Sequence, residues 1–90
     1  MQQDDRMRLD NVLNAINILK QKFHQIRMKV QQYDPTEPAV ETIEEGTNSY
    51  IALLDNKFNE LIQMRPRINK LSDMEKRKFN ALQRISYIKV

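Results

Sequence analysis

An apolar stripe with alternating spacings of three and four residues runs through the first third of the chain. It consists of Leu9, Val12, Ile16, Leu19, Phe23, Ile26, Val30 and Tyr33. This heptad pattern is typical of a coiled-coil seam, because a straight helix drifts by about 20° per heptad against a seven-residue repeat. The stripe therefore predicts a first helix over about residues 4–33 that packs against at least one other helix.

Two prolines interrupt the helical pattern within residues 34–38. Asp34 can cap a new helix, Pro35 suits a first helical position, and Glu37 stands where the acid of a capping box belongs. A second helix is predicted over about residues 38–64. Its apolar stripe consists of Val40, Ile43, Thr47, Ile51, Leu54, Phe58, Leu61 and Ile62. Gly46 lies inside this helix, where glycine costs about 1 kcal/mol relative to alanine, and we interpret it as a site of close helix packing.

Pro66 is expected to end the second helix, because proline clashes with the preceding turn and restricts the residue before it. The sequence Ser72-Asp73-Met74-Glu75 has the pattern of a capping box and predicts a third helix over about residues 72–88. An alternative start at Pro66 would lengthen this helix by several residues. The predicted inner face consists of Phe79, Leu82, Ile85 and Ile88, and the residues expected to close the end of the bundle are Ile68 and Leu71.

These segments predict a single all-α domain over residues 1–90, an antiparallel three-helix bundle with coiled-coil-like packing, two long helices and one shorter. One glycine and three prolines in 90 residues leave little turn chemistry for a sheet. Without cysteine, stability has to come from packing or from association. Two long helices carry more apolar stripe than one short helix covers, so we expect a partner helix or self-association as a homo-oligomer.

The sequence offers no arrangement of residues that would support catalysis. His24 is the only histidine and cysteine is absent, so no metal site is predicted. Glu41, Glu44 and Glu45 lack the Glu-x-x-His motif that di-iron bundles need. The serines lack an elbow glycine, and no glycine-rich loop could cradle a phosphate. We therefore predict no enzymatic activity and no cofactor.

The charge of the chain changes sign along its length. Residues 1–64 carry seven basic and ten acidic side chains, whereas residues 65–90 carry eight basic and two acidic ones. The candidate partner-binding residues in this basic tail are Arg65, Arg67, Lys70, Arg77, Lys78, Arg84 and Tyr87. Three interpretations stay open: a solvated face that pairs with the acidic second helix, a site for a protein with an acidic surface, and a nucleic-acid site that neutralises phosphates.

Residues 75–85, with the sequence EKRKFNALQRI, resemble the last helix of BAG domains, which are three-helix co-chaperone modules. The resemblance implies a co-chaperone-like role in which the bundle binds the nucleotide-binding domain of a heat-shock ATPase. It covers eleven residues, and the acidic pattern that BAG domains carry on their second helix has no residue-by-residue match here. The N-terminal bundles of SNARE proteins and small scaffold subunits fit the helical periodicity equally well.

The sequence therefore predicts a non-enzymatic protein–protein interaction module, such as an adaptor, a co-chaperone-like protein or an assembly subunit. The alternative is a helical nucleic-acid-binding domain that uses the basic C-terminal third. No apolar run approaches the roughly 20 residues of a membrane helix, and the first five residues are acidic where a signal peptide is basic. We expect no membrane insertion and an intracellular location, cytoplasmic or nuclear.

Overall fold

The computed structural model describes residues 2–89, with side chains from residue 4 onward. The molecule is an all-α antiparallel three-helix bundle with coiled-coil-like packing, two long helices and one shorter, which confirms the predicted fold class. The helices are α1 (Gln2–Val30), α2 (Pro38–Met64) and α3 (Asp73–Leu82). A 3₁₀ turn, Arg65–Arg67, follows α2, and a 3₁₀ segment, Gln83–Tyr87, follows α3. No strand occurs within residues 2–89.

The connection between α1 and α2 differs from the prediction. α1 ends at Val30, so Tyr33 lies outside the helix and is exposed. Asp34 forms a local turn instead of capping α2, because its Oδ1 accepts hydrogen bonds from the backbone N–H of Thr36 (2.9 Å) and its hydroxyl (2.8 Å). The predicted roles of Asp34 and Pro35 in the helix start were wrong. Glu37 is the N-cap residue without a side-chain cap bond, and Pro38 is the first helical residue.

The core lies where the third segment, α3 with its 3₁₀ extension, covers the α1–α2 pair. It is a cluster of buried apolar side chains: Leu9, Val12, Leu13, Ile16, Leu54, Leu61, Met64, Ile68, Leu71 and Phe79. Three stripe residues of α1 and α2 and two residues of the third segment pack partly buried against it: Leu19, Phe23, Phe58, Leu82 and Ile85. Ile68 and Leu71 close this end of the bundle as predicted.

Polar pairs between α1 and α2 fix their antiparallel register. Lys20 forms a salt bridge with Asp55, and Arg27 donates a 3.3 Å hydrogen bond from Nη1 to Oδ1 of Asn48. Near the start of α1, Asp10 pairs with Arg65. In each pair the two residue numbers add to the same value, as an antiparallel register without slippage requires.

The third segment begins at the predicted capping box. The backbone N–H of Glu75 donates to Ser72 Oγ and the backbone N–H of Ser72 donates to Glu75 Oε1, both at 3.2 Å. The alternative start at Pro66 is wrong, since residues 65–67 form only a single 3₁₀ turn. The α-helix stops at Leu82, and Ile88, which has an extended backbone, is exposed instead of lying on the inner face.

Gly46 does not mark close packing between helices. A Cβ atom placed on Gly46 would have no atom of another element within 4 Å, and its backbone has the ordinary negative φ of a helix. The interpretation of Gly46 as a tight helix contact is therefore wrong for the isolated chain.

The bundle is a rod of 52 × 21 × 17 Å that divides into two halves. In the covered half, the third segment packs over residues 4–16 of α1 and 54–64 of α2. In the open half, residues 19–30 of α1 and 40–53 of α2 pack mainly on each other. Of the helices within residues 2–89, none is long and apolar enough to cross a membrane.

Candidate functional site

Large apolar side chains lie exposed on one side of the open half. They are Ile26 of α1 and Ile43, Tyr50 and Leu53 of α2, with exposed fractions between 42% and 56%. We call these four residues the open face. The predicted stripes placed Ile26 and Ile43 in the core, and this part of the prediction was wrong because no third helix reaches them.

On α2, the open face continues the side that packs against α3. Lys57 and Glu60 mark that side, since they line a cleft together with residues of α3. Tyr50 lies one heptad before Lys57, and Leu53 lies one heptad before Glu60. Residues seven positions apart share a helix face, so Tyr50 and Leu53 stand where α3 would lie if it were longer.

On α1, the exposure of one heptad series rises along the rod. Val12 is 1% exposed beneath the third segment, Leu19 is partly buried, and Ile26 is 42% exposed. These three residues occupy equivalent positions of successive heptads. The groove between α1 and α2 is therefore continuous, and only its first half is filled.

The floor of the open half is well packed. The ring of Phe23 stacks on that of Tyr50, with centroids 5.3 Å apart and planes inclined by 17°. Thr47 and Ile51 are buried behind this pair. Because such aromatic pairs add to the stability of a contact beyond area burial alone, Tyr50 is held in place while one side of its ring stays accessible.

Polar contacts occupy the other side of the α1–α2 pair. Besides pairing with Asp55, Lys20 places its Nζ 5.9 Å from the ring centroid of Phe58. Arg27 approaches Nδ1 of His24 with Nη2 at 2.8 Å, in addition to its bond to Asn48. Apart from Met28, the large exposed apolar side chains of the open half thus lie on the side that α3 leaves free.

Two residues of the basic tail are engaged in ion pairs within the chain. Arg65 donates from Nε and Nη2 to the carboxylate of Asp10, at 2.9 and 3.2 Å. Arg67 donates to both oxygens of Glu75, at 3.1 and 2.7 Å. The acids belong to α1 and α3, whereas the solvated-face interpretation expected them on α2.

These ion pairs shift the pKa values of the acids. The hydrogen bond from Arg65 is the main cause that lowers the pKa of Asp10. The hydrogen bonds from Arg67, followed by that from the backbone N–H of Ser72, lower the pKa of Glu75 to about 2. Glu75 therefore stays ionised through the physiological range and links the turn after α2 to the start of α3.

The other candidate residues of the basic tail do not converge on one site. Lys70, Arg77, Arg84 and Tyr87 are exposed, and Tyr87 lines a shallow cleft with Arg8 and Asn11 of α1. Lys78 lies on the opposite side of the third segment, in the cleft shared with α2. The structure therefore spreads these side chains over several sides of the third segment.

No group of three or more potential metal ligands occurs in the described part of the chain. The sequence signal that could have revealed the open face is the pair Tyr50 and Leu53, two large apolar side chains of α2 that lie outside the predicted stripe. Comparisons of the chain with models of protein families, with curated protein sequences and with solved structures gave no match.

Proposed function

We propose that the chain is a non-enzymatic protein–protein interaction module, acting as an adaptor, a co-chaperone-like protein or an assembly subunit, that binds another protein through the open face. One observation carries this proposal: the groove that holds α3 continues beyond it, lined by exposed Ile26, Ile43, Tyr50 and Leu53. Contiguous apolar surface of this kind on a small protein is typical of an interaction site.

The overall dimensions support the same proposal. The accessible surface is 6857 Å², whereas a compact monomer of 10.8 kDa is expected to expose about 5,500 Å². The radius of gyration is 16.0 Å, compared with about 12 Å for a compact domain of this length. The excess surface exceeds the roughly 800 Å² that each partner buries in a standard interface.

A pull-down with matched isoleucine variants of α1 tests the proposal. Ile26 and Ile18 have similar exposure, 42% and 46%, but only Ile26 belongs to the open face. We expect proteins captured from a cell extract by the wild type and by Ile18→Glu to be lost with Ile26→Glu. Identical capture by all three proteins, each shown to be equally helical by circular dichroism, would contradict the proposal.

The alternative function, nucleic-acid binding through the basic tail, has less support. Arg65 and Arg67 are engaged with acids of the same chain, and the other cations diverge. A gel-shift series at two salt concentrations decides it, because phosphate contacts make affinity fall steeply with salt. Binding at low salt that is lost on charge reversal of Arg77, Lys78 and Arg84 would favour the alternative.

We expect no enzymatic activity, and a cytoplasmic or nuclear location is compatible with a chain that has no cysteine. Chaperone binding is the form of the interaction that the resemblance of residues 75–85 to BAG domains implies. The proteins recovered in the pull-down identify whether a chaperone is among the partners that depend on Ile26.

A further inference from the structure

The third segment shows how the groove between α1 and α2 holds a helix. Phe79, Leu82 and Ile85 supply its apolar contacts to the core. On its two flanks, Lys76 lines a cavity with Asp5 of α1, and Lys78 lines a cleft with Glu60 and Lys57 of α2, which pair with each other. A helix in this groove therefore uses an apolar stripe with charged residues on both sides, and its lysines lie near acids of the groove's edges.

The edge charge of α1 is different beside the open face. Lys22 and Lys29 lie four residues before and three residues after Ile26, so they flank it on the surface of α1. Neither lysine has an ion-pair partner among the side chains described. Residues 17–33 contain no acidic side chain, so this stretch of α1 is positively charged. The lysines and arginines of the third segment would be repelled by it if that segment lay in the open half.

On α2, the two residues that flank Leu53, Ser49 and Asn56, are uncharged, and Thr42 lies one heptad before Ser49. The nearest acidic side chain on this edge is Glu45, between Thr42 and Ser49. An occupant of the open half therefore meets a positive edge on α1, a mostly neutral polar edge with one acid on α2, and an apolar floor. The length of the open half, about 12 residues of each helix, corresponds to about 18 Å, or three helical turns.

We propose that the open face binds a single amphipathic helix of another protein, about three turns long, whose apolar stripe is flanked by acidic residues that pair with Lys22 and Lys29. This inference rests on the proposed function and specifies its partner. The partner helix lies end to end with α3 in the same groove and extends the three-helix packing along the rod.

A second copy of the chain is a poorer occupant. Two open faces can meet without collision of their third segments only when one copy is inverted relative to the other. In that arrangement α1 lies against α1 of the second copy, so Lys22 and Lys29 approach their own equivalents. Like charges placed opposite each other oppose association, and a single acidic helix avoids this cost.

Two synthetic peptides test the charge preference directly. Each has about 12 residues, the length of the open half, with blocked ends, leucine at heptad positions a and d, and alanine at the outward positions. The acidic peptide carries glutamate at positions e and g, and the basic peptide carries lysine there. We expect the acidic peptide to bind about tenfold more tightly than the basic peptide at low salt, as measured by fluorescence anisotropy. The reason is that Lys22 and Lys29 each attract the glutamates of the acidic peptide and repel the lysines of the basic peptide.

Variants of the chain assign the binding to the open face. Ile26→Glu should abolish binding of the acidic peptide, whereas Ile18→Glu should bind it like the wild type. The double variant Lys22→Glu/Lys29→Glu should bind the basic peptide more tightly than the acidic one. Circular dichroism of each variant shows whether the bundle is intact, and all four substituted side chains, Ile18, Lys22, Ile26 and Lys29, are exposed.

Three results would overturn the inference. They are equal affinity for both peptides, equal effects of Ile26→Glu and Ile18→Glu, and a homodimer in light scattering that Ile26→Glu dissociates. The proposed function fails separately, since it requires only that capture of proteins in the pull-down depends on Ile26. Capture that depends on Ile26 together with equal peptide affinities would leave the proposed function standing and remove the acidic helix.

Discussion

Two isoleucines of α1, two positions apart, have opposite roles in the structure. Ile16 is fully buried in the core, whereas Ile18 is 46% exposed. Removing a buried isoleucine side chain leaves a cavity, so we expect Ile16→Ala to lower the free energy of unfolding by about 3 kcal/mol. Ile18→Ala should change it by less than about 0.5 kcal/mol. Urea denaturation measures both, and equal losses would contradict the assignment of the core.

Gly46 offers a substitution that should stabilise the chain. Its surroundings leave room for a methyl group, and its backbone is helical. We expect Gly46→Ala to raise the free energy of unfolding by about 0.5–1 kcal/mol. The matched control is Ala52→Gly at an exposed position of the same helix, which should lower it by a similar amount. A loss of stability in Gly46→Ala would contradict the assignment of free space around Gly46.

Individual residues also show where the sequence was informative. The pattern of Ser72 and Glu75 correctly predicted a capping box, because both bonds depend only on local spacing. The pattern of Asp34 was ambiguous, since an aspartate before a proline can cap a helix or close a local turn. Met64 falls outside the predicted stripes and is nevertheless buried, because the third segment packs on that side of α2.

The ion pair between Arg67 and Glu75, which joins the turn after α2 to the start of α3, makes the stability of the fold depend on pH. The pKa of Glu75 is about 2 in the folded chain, below its ordinary value of 4.5. Ionised Glu75 therefore stabilises the fold above about pH 4.5, and this stabilisation is lost as the pH falls towards 2. We expect Glu75→Gln to be less stable than the wild type at pH 6.5 and nearly equal to it at pH 2.

Urea midpoints of the wild type and Glu75→Gln across this range measure the effect. Glutamine keeps an acceptor for the cap bond, so the difference between the two proteins reports mainly on the charge. Asp10 and Asp34 also have lowered pKa values, but they are present in both proteins and cancel in the comparison. A difference that stays constant from pH 6.5 to 2 would show that the ion pair has no role.

The elements also show the limit of the heptad pattern. It predicted which side of α1 and α2 is apolar, and the predicted fold class was confirmed. It indicated that one short helix leaves part of that side uncovered, but it did not reveal which residues these are, because their identity depends on where α3 ends. Ile26 and Val12 have equivalent heptad positions, yet one is exposed and the other buried.

At the scale of the whole molecule, the two halves of the rod should differ in local stability. The covered half contains the buried cluster formed by all three segments, whereas the open half has two helices and few fully buried side chains. Regions with few buried apolar contacts open locally at a lower free energy than the core does. We therefore expect the open half, at the end of the rod remote from the third segment, to open locally more readily than the covered half.

Hydrogen exchange measured by mass spectrometry tests this difference. Amides of residues 24–30 and 40–47 should exchange faster than those of residues 9–16 and 54–64, although all four segments are helical. Addition of the acidic peptide should slow exchange in the first two segments and leave the last two nearly unchanged, because a ligand protects the region it covers. With Ile26→Glu the peptide should have no effect. Uniform protection along both helices would show that the α1–α2 contacts alone hold the open half as firmly as the third segment holds the core.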